Sequence, residues 1–128
     1  SQIGIEDGLI QSTVTHIYQD TDGYLWLGTQ GGLHRYDGYE FKVFKNNPTD
    51  SCSLADDNIQ DIAEDRNKNI WVITDNGIHK IAHETGHIKR YHVKKTRFMH
   101  CCLRCRNGEL LFAGEKYLYQ YDEQGTCL

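Results

Sequence analysis

The sequence predicts an all-β chain built from a repeated unit of four short antiparallel strands. Three observations carry this reading. The chain resembles itself at a spacing of 45 residues, apolar and polar residues alternate within each copy, and Asp-Gly or Gly-Gly signals cut the alternating runs. A four-stranded unit of about 40–45 residues is the blade of a β-propeller. The chain of 128 residues then holds about three blades of a partial propeller, near 9–52, 53–97 and 98–128, the last incomplete.

The first two copies set the register. Placing residues 9–36 on 54–81 gives seven identities: Leu9/Leu54, Ile17/Ile62, Asp20/Asp65, Trp26/Trp71, Thr29/Thr74, Gly32/Gly77 and His34/His79. Average composition yields only about one or two in such a window. Val14/Ile59, Leu25/Ile70, Leu27/Val72, Leu33/Ile78 and Arg35/Lys80 are conservative pairs. A weaker third copy starts near Met99 at a spacing of 40. In it Cys102 replaces Ile62, Leu110 replaces Ile70, Leu111 replaces Trp71, Leu118 replaces Ile78 and Tyr121 replaces Ile81, while Gly108 returns to the turn position of Gly23.

Each element follows from local chemistry. Val14 to Gln19 alternates and reads as a strand, closed by the turn Asp20-Thr-Asp22-Gly23. Tyr24 to Gly28 is a second strand, Leu33 to Tyr36 a third after Gly31-Gly32, and Glu40 to Phe44 a fourth after Asp37-Gly38. Trp26 and Trp71 have apolar neighbours on both sides, which suits a strand packed between blades and assigns both rings to the inter-blade core. No segment has a period of 3.6, so helix is expected to be nearly absent.

Composition removes several function classes. With 14 Lys+Arg against 18 Asp+Glu and a net charge of −4, the chain lacks the basic footprint of a nucleic-acid binder. It contains no apolar run long enough to cross a membrane, and no apolar, Lys/Arg-led leader, so any signal peptide is already removed or left out. Aromatic residues at 11% and a single Pro point to a folded chain. Five cysteines are an odd number and follow no framework spacing, so the compartment cannot be read from them. Adjacent Cys101 and Cys102 point to opposite faces of a strand, and Cys102 reads as a small buried hydrophobe.

Several strings imitate chemical sites. His83-Glu-Thr-Gly-His87 matches the zinc-protease motif, but that chemistry needs a helix, and here the string occupies the turn between third and fourth strands. His79, His83 and His87 are at most an adventitious metal site. Cys102-Leu-Arg-Cys105 lacks a second ligand pair for zinc and a βαβ context for redox work. Asp20-Thr-Asp22-Gly23 begins like a calcium loop, yet Gly31 stands where the bidentate Glu is required. Lys89, Arg90, Lys94, Lys95 and Arg97 read as the solvated side of an edge strand. No catalytic, cofactor or metal residue is assigned.

The strings Glu6-Asp-Gly-Leu9, Val14-Thr-His-Ile17-Tyr-Gln-Asp20, Asp22-Gly-Tyr-Leu-Trp-Leu-Gly-Thr29 and Gly32-Leu-His-Arg-Tyr-Asp-Gly38 resemble the two-component regulator propeller repeat. So do Ser53-Leu54, Asn58-Ile59, Glu64-Asp65 and Asn69-Ile-Trp71. Copy two departs at Lys68 and Ile73, where copy one has Gly23 and Gly28, and copy three lacks the Trp and the Gly-Thr. The resemblance implies the periplasmic sensor region of a hybrid two-component protein, an ectodomain of an inner-membrane chain that also carries a histidine kinase. The opening Ser1 to Leu9 is similar to the start of such an ectodomain, and the chain stops where a fourth strand of copy three is due, as expected of a piece of a longer propeller.

The function so implied is non-catalytic sensing of an oligosaccharide or other small ligand, with no cofactor and no nucleic acid. Exposed aromatic and planar polar residues such as Tyr24, Tyr39 and Arg35 are candidates for sugar contact, but no ligand-binding residue is assigned. A propeller lyase or glycosidase would need convergent carboxylates or a metal on one face, and a structural interaction propeller is the third reading. In an oxidising compartment Cys101 or Cys105 is expected to be able to pair with Cys52 or Cys127. Two uncovered blade faces imply self-association of this chain, most simply as a homodimer.

Overall fold

The computed structural model describes residues 2, 13–91, 99–114 and 118–121. The string Glu6 to Leu9, Lys94, Lys95, Arg97 and Cys127 lie outside these residues. All regular structure among the described residues is strand. The first sheet holds β1 (Val14–Gln19), β2 (Leu25–Thr29), β3 (Gly32–Tyr36) and β4 (Phe41–Phe44). The second holds β5 (Ile59–Glu64), β6 (Ile70–Thr74), β7 (Gly77–Ile81) and β8 (Ile88–Tyr91), and the third β9 (Met99–Arg104), β10 (Leu110–Gly114) and β11 (Leu118–Tyr121). Each sheet is an antiparallel meander in sequence order. The expected strands therefore form, and the third unit shows three of them among the described residues.

The first strands β1, β5 and β9 lie next to one another, the arrangement of inner strands around a propeller axis. Each skips one residue in its ladder at the same place, at Thr15, Gln60 and His100. A bulge repeated in this way adds twist to each inner strand.

Strand alternation sorts side chains between two cores. Trp26, Leu33 and Phe44 of the first sheet meet Ile59, Ile62, Ile70, Val72 and Ile81 of the second. Ala63, Trp71, Ile73 and Ile78 leave the other face of the second sheet and meet Met99, Leu110, Phe112 and Tyr121 of the third. All of β6 is consequently buried, as the apolar runs flanking Trp71 require. Cys102 faces this second core at the register of Ile62, whereas Cys101 is exposed.

The departures from the repeat have packing reasons. A Cβ at Gly28 would sit 2.8 Å from Ile59 Cγ2, so the inner strand of the next sheet fits only against a bare backbone. One interface later Ile73 takes the place of Gly28, and the facing position of Ile59 is taken by Met99. An unbranched Met yields where a β-branched Ile cannot. Gly28→Ala is expected to destabilise the chain by about 1–3 kcal/mol through overpacking. In an Ile59→Ala background the added cost of Gly28→Ala should shrink, which denaturant titration of the four variants in the cycle measures.

Candidate functional site

Three turns at one end of the sheets build a cleft between the first and second sheets. The β1–β2 turn is closed by Asp20 N donating to Tyr24 O (2.9 Å) and Gly23 N donating to Asp20 O (3.0 Å). Asp65, Lys68 and Asn69 repeat those bonds in the second sheet, and Cys105, Gly108 and Glu109 repeat them in the third. The turn requires a positive φ at one residue, supplied by Gly23 (91°) and Gly108 (89°) but by Lys68 (67°) in the middle copy.

The recurrent Asp does more than shape the turn. Asp20 Oδ2 accepts the Trp26 Nε1–H at 2.8 Å while Oδ1 accepts the Tyr24 N–H at 2.9 Å. Asp65 Oδ2 likewise accepts the Trp71 Nε1–H at 2.8 Å, and Oδ1 accepts the N–H groups of Asn67 and Asn69. A buried indole N–H has to find an acceptor, and this carboxylate is it. The third copy has Cys105 and Leu111 at these two positions, so donor and acceptor are lost together.

Above this base, Asp22 reaches across to the second sheet. Its Oδ1 lies 3.1 Å from Lys68 Nζ and its Oδ2 lies 2.6 Å from His83 Nε2. The hydrogen bonds from His83 and Lys68 hold the Asp22 carboxyl below the usual carboxylate range. His83 is itself placed by Asn69, whose Oδ1 accepts the His83 N–H at 3.0 Å. Arg35 lies over the ring of Tyr24 at 4.9 Å and over Trp26 at 5.8 Å. An ion pair as open to water as Lys68–Asp22 is screened and contributes little. A non-glycine residue at positive φ costs roughly 1–3 kcal/mol, so the pair does not repay its turn.

A second contact joins the same two sheets. Glu64 is buried and accepts from Tyr18 Oη (3.1 Å), Thr21 N (3.1 Å) and Thr21 Oγ1 (2.7 Å). Burial, with the Glu64 carboxylate beside it, pushes the Tyr18 hydroxyl up to about 12. At the next interface Asp61 Oδ2 accepts the Cys102 N–H at 2.9 Å, and burial raises the Cys102 thiol well above its ordinary value.

The sequence-derived candidates fall into two groups. Tyr24 and Arg35 come together in the cleft, whereas Tyr39 sits 93% exposed on the β3–β4 turn. His83 to His87 form the β7–β8 turn, and His79 lies buried with Nε2 accepting the Ala55 N–H (2.9 Å) and Nδ1 3.3 Å from Val72 O. His79 thus anchors the incoming linker and stays apart from the other two histidines. No group of three metal-ligating side chains gathers among the described residues. Cys52, Cys101, Cys102 and Cys105 are free thiols. Arg90 is more than a solvated edge residue: its Nε donates to Ser53 O at 2.8 Å and its guanidinium clasps the linker.

These features define propeller blades whose inter-blade face is pinned by an Asp–Trp bond. Residues 8–31 and 53–76 match the two-component regulator propeller family. A histidine kinase of Formosa agariphila is 53% identical over 49 residues, which is 38% of this chain and 4% of the kinase. The chain therefore spans a small fraction of that relative. Virginiamycin B lyase from Staphylococcus aureus superposes with a TM-score of 0.74 at 18% identity, over 94% of this chain and 42% of the lyase. The extracellular domain of a hybrid two-component system from B. thetaiotaomicron does so with a TM-score of 0.68 at 19% identity, over 84% of this chain and 16% of that one. Both likenesses establish the propeller fold.

Two outcomes are expected. Asp65→Ala strands the buried Trp71 N–H and should cost about 1–3 kcal/mol. The same change in a Trp71→Leu background, which mimics the third copy, should cost less in urea titration. Burial holds the His34 imidazole below its ordinary value, so the folded state keeps it neutral. As pH falls below about 6.5 the unfolded chain takes up a proton that the folded chain refuses, and stability declines. Urea midpoints measured from pH 7.5 to pH 5 should fall, and less steeply in His34→Gln.

Proposed function

We propose that this chain is part of the extracytoplasmic sensor propeller of a hybrid two-component signalling protein. The observation that carries this reading is the 53% identity, over 49 residues, with a histidine kinase. The chain's role is to bind a small ligand, an oligosaccharide among them, and to pass its occupancy to a kinase elsewhere in the protein. The site is the periplasm. Its chemistry is recognition without turnover: the carboxylate shared by the first two copies, Asp20/Asp65, is occupied by Trp26 and Trp71. The lyase likeness is one of fold at 18% identity and supports no reaction here.

The test is a membrane preparation of the full-length protein. Autophosphorylation on histidine that changes when oligosaccharides are added supports the reading, and a full-length gene without membrane span or kinase overturns it.

We also propose that the outward blade faces are covered by a second copy when this chain stands alone. Ile17 is 67% exposed where its repeat partner Ile62 is 6% exposed. Leu118 is 67% exposed where Ile78 is wholly buried, and Leu103 at the register of Ala63 is open too. On the first sheet the opening is confined to the inner strand, since Leu27 and His34 on the same face are buried. Burying a face of ~500 Å² yields on the order of 12 kcal/mol before association costs. Light scattering after size exclusion at micromolar concentration should report a dimer; Ile17→Lys with Leu118→Lys should shift it to monomer.

A further inference from the structure

We infer that the cleft between the first two sheets is a subsite for a small carboxylated sugar, with Arg35 taking the carboxylate and Asp22, Lys68 and His83 taking hydroxyls. The inference rests on the sensor reading above and gives it a place and a ligand class.

The cleft is lined by Asp22, Tyr24, Trp26, Arg35, Lys68 and His83 and has a volume of about 180 Å³. Roughly six waters fill such a space, so it suits one sugar ring rather than a chain. Arg35 stands on Tyr24 and Trp26, and among the described residues its guanidinium donates no hydrogen bond. A planar guanidinium held flat on two rings, with its donors unspent, is preorganised for a bidentate carboxylate. Asp20 spends its oxygens on Trp26 and Tyr24, and Asp37, which feels the Arg35 charge, spends its Oδ1 on the Tyr39 and Glu40 N–H groups, so neither carboxylate hydrogen-bonds the guanidinium. Asp22, Lys68 and His83 are bonded to one another, yet each keeps capacity for a hydroxyl: a second lone pair on each Asp22 oxygen, two further N–H groups on Lys68, and Nδ1 of His83.

Two features separate this cleft from scaffold. Lys68 occupies a turn position where both other copies have Gly, and adopts φ of 67° to bring its ammonium to Asp22. Strain of this kind collects at ligand sites. The next interface keeps the Trp and its Asp, but Asp22, Tyr24, Arg35 and Lys68 become Asn67, Asn69, Lys80 and Gly108. A cation over the Trp recurs, since Lys80 lies 5.8 Å over Trp71, but the planar guanidinium, the Tyr24 ring beneath it and the Asp22–Lys68 pair are specific to one interface.

Isothermal titration of the chain with sodium D-glucuronate decides the matter, with D-glucose as the neutral twin and sodium acetate as the charge without the ring. Glucuronate should bind measurably while glucose and acetate do not at ten times its dissociation constant. Arg35→Gln should weaken it at least roughly tenfold, since the amide can keep at most one of the two bonds and none of the charge. Lys68→Gly should also weaken binding while leaving the melting temperature unchanged or raised, because Gly relieves the turn. Its fold is thereby safe even if Arg35→Gln unfolds. Equal binding of glucose, equal binding of acetate, no binding at all, or indifference to Lys68→Gly each overturns the subsite. None of these bears on the kinase readout, which alone decides the sensor reading.

Discussion

The hydrogen bond from a buried tryptophan to the aspartate six residues before it is the constraint on which this architecture turns. Two sheets can close on each other only if everything between them is apolar or paired. The indole supplies the largest apolar surface available, at the cost of one N–H that must find an acceptor. Asp20 and Asp65 supply that acceptor from the very turn that sends the chain back into the Trp strand. One carboxylate thus joins turn to core: its other oxygen accepts the turn N–H groups, so core packing fixes the turn's conformation. The third copy, with Cys105 and Leu111, drops both partners and leaves no orphan. Leu111 keeps the register of Trp71 opposite Leu103 and Gln120, so the sheet itself does not depend on the pair.

Much of this was legible in the sequence because it repeats. The 45-residue spacing aligns Trp26 with Trp71 and Ile17 with Ile62, and alternation then assigns faces without any knowledge of the partner sheet. Contacts between non-equivalent positions were not legible. Asp20 and Asp65 read as hairpin residues, since nothing in a strand pattern says that a side chain six residues on lies over the turn. Glu64 stands in the sequence only as part of the repeat string Glu64-Asp65, which says nothing of its bonds to Tyr18 and Thr21 across 46 and 43 residues. Arg90 reads as an edge cation until the linker is seen folded against it.

The cleft is the sharpest case. Asp22 stands out in the sequence as the start of a calcium-like loop, His83 as the first residue of a zinc-like string, and Lys68 as a flaw in the repeat. Each is conspicuous for a local pattern that its own stretch of sequence leaves incomplete, and the three meet on one another. Their separations of 46 and 61 residues are set by the blade period rather than by local sequence. A motif search looks along the chain, whereas an inter-blade site is assembled across it.

That geometry also says how a repeat protein gains function without losing its fold. The Asp–Trp bond lies at the base of the cleft, where losing one partner alone leaves the other unpaired, whereas the residues above it reach only the turns and the outer side of the Trp ring. They are therefore free to change from one interface to the next, as Tyr24 to Asn69 and Arg35 to Lys80 do. Lys68 marks the limit of that freedom. It enters the turn itself, at the one position where a side chain is opposed by the backbone, and the half-exposed ion pair it gains is too weak to offset the strain. A residue that the fold disfavours and that its visible contacts do not repay is best explained by a contact the free protein lacks.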